Sequence, residues 1–177
     1  MKNNKVIFIG PQVIHKAFSD MRQYDFQEPI ESLEEFKNEM QLDESESKIS
    51  KSSSVIIIFS RLYIGNEQEF AKIVAFYAPY ALVTILIPEE DRPMIEKMNA
   101  LIRTARNERE SRDPSYNKSA PYFFIAYENP IQELNKSMVE FAGDKSVHRD
   151  VRAGIIDMLP DYYKNAIETE ADFEEAN

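Results

Sequence analysis

The sequence predicts an α/β domain on a doubly wound, five-stranded parallel sheet of order 2-1-3-4-5, with helices on both faces and an extra C-terminal helix. Three observations carry that expectation. Five short apolar runs alternate with stretches whose apolar residues recur at helical spacing. The runs are continuous and rich in Val, Ile and Phe, as strands covered on both faces are. The second run contains Pro29, which suits only a sheet edge, whereas the first, third and fourth are the most apolar and suit the centre.

Each element has its own signal. Lys5 to Ile9 (KVIFI) reads as a buried strand closed by Gly10-Pro11, and Val13, Ile14, Ala17, Phe18 and Met21 follow at helical spacing. Phe26 to Ile30 is the weak second strand. Ser32 with Glu35 three residues on forms a capping box, Ile30 is placed to staple onto Phe36, and Leu33, Phe36 and Met40 make the stripe of the next helix. Asp43 to Ser54 (DESESKISKSSS) is polar and low in complexity, a loop within the domain. Val55 to Phe59 (VIIIF) is the third strand, and a helix from about Asn66 presents Phe70, Ile73, Val74 and Tyr77. Ala81 to Ile87 (ALVTILI) is the fourth strand, closed by Pro88. Asp91 with Pro93 is a good start for the helix bearing Met94, Ile95, Met98, Leu101, Ile102 and Ala105. A polar loop from Ser111 to Ser119 leads to the fifth strand, Tyr122 to Ala126 (YFFIA), and Ile131, Leu134, Met138 and Phe141 mark the helix after it. The division expected is 1–142 for the α/β domain and 143–177 for a helical extension with an acidic tail. In that extension Val147, Val151, Ile155, Ile156 and Leu159 suggest one helix, and Tyr162, Tyr163 and Ile167 a short second one.

Composition narrows the function classes. The chain has 177 residues, enough for one sizeable core. It has no cysteine, which removes disulfides, thiolate zinc sites and cysteine nucleophiles together. Only four glycines are present, and no G-x-x-x-x-G-K-[ST] motif, so a phosphate-cradling loop is not expected. The net charge of −10 is unevenly spread: Asp25 to Glu46 holds nine carboxylates against Lys37 alone, and Glu168 to Glu175 adds five more. Such a surface repels nucleic-acid backbones and anionic lipid. The first apolar run is too short for a secretory segment, and no later run approaches the roughly 20 residues of a membrane span, so a cytoplasmic location is the expectation.

With strand order, strand length and the stretch YFFIAYENP in view, residues 5–142 resemble a response-regulator receiver domain of flavodoxin type, and more closely the degenerate pseudo-receiver relatives of that family. Receivers end the fifth strand in Lys-Pro; this chain has Asn129-Pro130. Their first strand ends in an acidic pair that holds a divalent cation; this chain has Gly10-Pro11-Gln12. Their third strand ends in the Asp that accepts phosphate; this chain has Phe59-Ser60-Arg61. Thr84 sits too early in its strand to match the family's hydroxyl. The resemblance therefore implies no enzyme, no cofactor and no metal. It implies a protein-interaction or dimerisation domain, such as an adaptor in a pilus, secretion or conjugation assembly or one working with a ParA/MinD-like ATPase.

Two alternatives come from the residues themselves. In open α/β sheets ligands bind beyond the carboxyl ends of the strands, at the switch point. Gly10, Gln12, Ser60, Arg61, Glu89, Asp91 and Asn129 are the candidate lining of such a pocket for a small ligand or nucleotide. Glu89 to Asp91 with Glu128 could hold Mg²⁺, or could simply charge a helix start. The one cationic stripe, Arg103, Arg106, Arg109 and Arg112, is the candidate partner surface, with Val151 and Ile155 of the extra helix as a second one. The stripe reads first as a solvated helix end, then as a protein contact that includes self-association, and last as a nucleic-acid contact, because Glu108 and Glu110 dilute it. His15 and His148 stand apart, with no H-x-x-x-H pattern between or beside them and no G-x-S-x-G elbow to make Ser60 a nucleophile.

Overall fold

The computed structural model describes residues 5–11, 16, 25–26, 28–40, 55–60 and 66–161. The expected helix over Val13 to Met21, the loop over Asp43 to Ser54 and the short helix at Tyr162, Tyr163 and Ile167 lie outside these residues, apart from exposed Lys16, which is helical. The expectation of an α/β fold on a parallel sheet is met. Strands β1 (Lys5–Ile9), β3 (Val55–Ser60), β4 (Leu82–Ile87) and β5 (Phe123–Ala126) lie side by side in that order, every pair parallel. The register runs Lys5 opposite Val55, Ile56 opposite Leu82 and Thr84 opposite Phe123.

The second apolar run behaves differently from the strand expected over Phe26 to Ile30. Only Asp25–Phe26 (β2) pairs with β1, and Ile30 makes an isolated bridge to Ile9. The Ile30 N–H donates to Phe8 O and the Gly10 N–H to Ile30 O, at 2.8 and 3.0 Å. Ile30 thus bonds β1 through both its backbone groups, and Pro29, facing the other way, leaves the outer edge of the sheet without a donor there.

The helices are α1 (Leu33–Met40), α2 (Glu67–Tyr77), α3 (Met94–Arg112), α4 (Pro130–Ala142) and α5 (Arg149–Met158). Their starts follow local chemistry. Ser32 Oγ accepts the Glu35 N–H at 3.0 Å, while the Glu35 carboxylate reaches back one residue further than a standard capping box, to the Glu31 N–H at 3.2 Å. Asn66 Oδ1 caps α2 by accepting the Glu69 N–H at 3.1 Å, and Glu67 and Glu69 place negative charge on its positive end. Pro130 opens α4, where a missing N–H costs nothing. At α3 the expectation fails: Asp91 closes a separate 3₁₀ turn, Glu89–Asp91, and Pro93 stands at the helix start with no side-chain cap.

Alternate strand residues feed two clusters, as the period of two requires. Ile7, Ile9, Ile57, Phe59, Val83 and Ile85 pack with Leu33 and Phe36 of α1, Phe70 and Val74 of α2, and Met98 and Ile102 of α3. The staple pair Ile30 and Phe36 sits in this cluster, and Phe36 meets Phe59 and Tyr77 edge-on at 5.4 and 5.8 Å. Val6, Phe8, Ile56, Ile58, Leu82, Leu86 and Ile125 pack with Leu134, Met138 and Phe141 of α4 and with Val151, Ile155 and Met158 of α5. Val151 and Ile155 are therefore corrected as an exposed partner surface: they are 1% and 0% exposed and spend their apolar stripe on their own sheet. Helix α5 is continuous with the core, and its Arg152, fully buried, donates from Nε to Val147 O at 3.0 Å. No helix among the described residues is long and apolar enough to cross a membrane.

Candidate functional site

The carboxyl ends of β1 and β3 meet at Gly10 and Ser60, and both are buried. They touch so closely that a Cβ on Gly10 would stand 2.7 Å from Ser60 Cβ and 2.9 Å from the Phe8 ring. Glycine is required there by close approach, and no group could enter between the two residues without moving them. Ser60 is 1% exposed, and its hydroxyl shares a 2.6 Å hydrogen bond with the Tyr127 hydroxyl, one residue beyond β5. Burial raises the Tyr127 phenol above its usual range, the Ser60 hydrogen bond opposes that, and Asp91 and Glu90 nearby raise it further. The phenol thus stays neutral at physiological pH, and the pair holds a proton rather than a charge.

The other residues expected at this crevice do not join them. Gln12 and Arg61 lie outside the described residues. Glu89 is exposed and pairs with Arg92 at 3.0 Å in its own 3₁₀ turn; Asp91 is half-buried and Asn129 exposed at the start of α4. Among the described residues no group of three or more His, Asp or Glu side chains is placed to hold a metal ion.

The arginine stripe of α3 divides into two pairs. Arg103 and Arg112 are exposed. Arg106 turns inward, donating from its two terminal nitrogens to Lys118 O and Ala120 O and lying 5.1 Å from the centre of the Tyr122 ring. Arg109 lies over the Phe76 ring at 4.7 Å. The inner arginines thus bind the 113–122 loop and α2 to α3, and a continuous cationic stripe does not reach solvent. Two tyrosines add to the same brace: Tyr116 donates to Ala75 O at 2.5 Å and Tyr122 to Asn99 Oδ1 at 2.6 Å. Burial raises both phenols, while Arg106 beside each of them works the other way.

Tyr127 is the site residue that sequence reasoning missed. A signal for it exists: Phe123, Ile125 and Tyr127 continue the period of two through the end of β5, and all three belong to the same cluster. Compared with known protein families, curated proteins and solved structures, the chain finds no match.

Proposed function

We propose that this chain is a non-catalytic domain of pseudo-receiver type that acts through protein–protein contact. Its architecture in full is a five-stranded sheet of order 2-1-3-4-5, wound on both faces, with α5 as the extra helix. The Asp25–Phe26 pairing with β1 and the two separate clusters support that architecture. The single observation that carries the functional reading is the Ser60–Tyr127 pair. In the receiver resemblance Ser60 stands where the phosphate-accepting carboxylate would be. Here that position is a buried hydroxyl, engaged by a second neutral hydroxyl and packed against Gly10. A hydroxyl there forms no acyl phosphate, and this one is already bonded to Tyr127. Function then passes to the outer surfaces, as an adaptor within a larger assembly.

The test is incubation of the chain with acetyl phosphate and Mg²⁺, read by intact mass. The expected result is an unchanged mass. Addition of one phosphoryl group would end this reading.

A further inference from the structure

Helices α2 and α3 border a shallow groove of about 200 Å³ lined by Gln68, Lys72, Leu101, Thr104, Ala105 and Glu108. Its floor is apolar: Ala105 is buried and Leu101 half-buried. Its two rims carry opposite charges, Lys72 on α2 and Glu108 on α3, and both residues are exposed. Among the described residues neither side chain has an ion pair or hydrogen bond, although the same two helices do pair charge elsewhere, Lys97 with Glu67 at 3.0 Å. One cation and one carboxylate are thus left facing outward across an apolar floor.

We infer that this groove is where a second copy of the chain docks. The inference rests on the protein-contact reading above and names the partner. A two-fold contact places the same patch on both sides, so it needs opposite charges on either side of its centre. Across such an axis Lys72 of each copy meets Glu108 of the other, and Leu101 meets its own mate. The local charge permits it. At −10 the chain as a whole repels its copies, whereas on this face Lys72, Lys97 and Arg112 are balanced by Glu67, Glu69 and Glu108, with Arg112 one turn beyond Glu108.

Sedimentation velocity of the full chain over a range of concentrations tests it. The wild type is expected to show a concentration-dependent dimer. Lys72→Glu and Glu108→Lys each break both symmetry-related pairs and create like-charge contacts, so each weakens the dimer about tenfold or more. The double exchange Lys72→Glu/Glu108→Lys restores it. Leu101→Asp, which leaves both rim charges in place, also gives monomer. A wild type that stays monomeric at its highest soluble concentration overturns the inference. So does a dimer indifferent to either single reversal or to Leu101→Asp, or a folded double exchange that stays monomeric. A monomer that takes no phosphoryl group from acetyl phosphate sinks this face and leaves the reading above standing; a phosphorylated dimer that follows the exchange pattern does the reverse.

Discussion

The two ends of β5 are closed by different chemistry. At the amino end a guanidinium, two phenols and a run of backbone carbonyls bind the 113–122 loop to α2 and α3. At the carboxyl end the polar contact is one neutral hydroxyl pair, beside the close approach of Gly10 to Ser60. The amino end uses a guanidinium fixed by two donors in a planar fork. The carboxyl end uses packing, with a single hydrogen bond as its polar component. The difference teaches where function is to be sought. In an open α/β sheet the carboxyl end is the usual ligand end; here Gly10 and Ser60 pack against each other there, while the amino end takes up half of the cationic stripe that sequence alone offers to a partner.

Five substitutions sharpen or break this contrast. Arg106→Ala should cost most, about 3 kcal/mol, because two charge-assisted hydrogen bonds go and the carbonyl of fully buried Ala120 loses its donor. Arg106→Lys should recover little of it, since an ammonium lacks the fork. Equilibrium urea unfolding measures both, and a loss below about 1 kcal/mol for the alanine variant would reduce the brace to a surface contact. Gly10→Ala should cost about 2 kcal/mol, the overpacking expected when a Cβ meets a side chain and a ring inside 3 Å. A melting temperature equal to that of the wild type would mean that the two strand ends have room to part.

The smallest effect is at the hydroxyl pair. Tyr127→Phe and Ser60→Ala should each cost about 1 kcal/mol, and the double variant distinctly less than their sum. Strict additivity in that cycle would show that the two hydroxyls do not bind one another in solution. The same pair sets a pH dependence. Burial holds the folded Tyr127 phenol above its unfolded value, so its contribution is constant below about pH 10 and is lost as pH rises beyond it. Tyr127→Phe should flatten that alkaline fall.

Much of the fold was legible before any coordinates. VIIIF and ALVTILI, continuous apolar runs, read as buried strands and are strands of the parallel sheet, and Asn66 and Ser32 stand at the starts of their helices, where side-chain oxygens accept from local N–H groups. These signals are local, and local chemistry decides them. The partner of a stripe is not local. Val151 and Ile155 carry a helical apolar face, which a sequence can display without saying whether it meets its own core or another chain; here it is buried in the cluster shared by the sheet and α4.

The same limit holds for the functional residues. That the chain lacks cysteine, a phosphate loop and an acidic pair after its first strand is written in its residues, because composition and adjacency are one-dimensional facts. That Ser60 binds a hydroxyl 67 positions away, that Arg106 turns inward while Arg103 and Arg112 do not, and that Lys72 and Glu108 face each other unpaired across a groove are tertiary facts. They depend on which strands lie side by side and how each helix is rotated on them. Those rotations are settled by the packing of the whole core rather than by the few residues around each site.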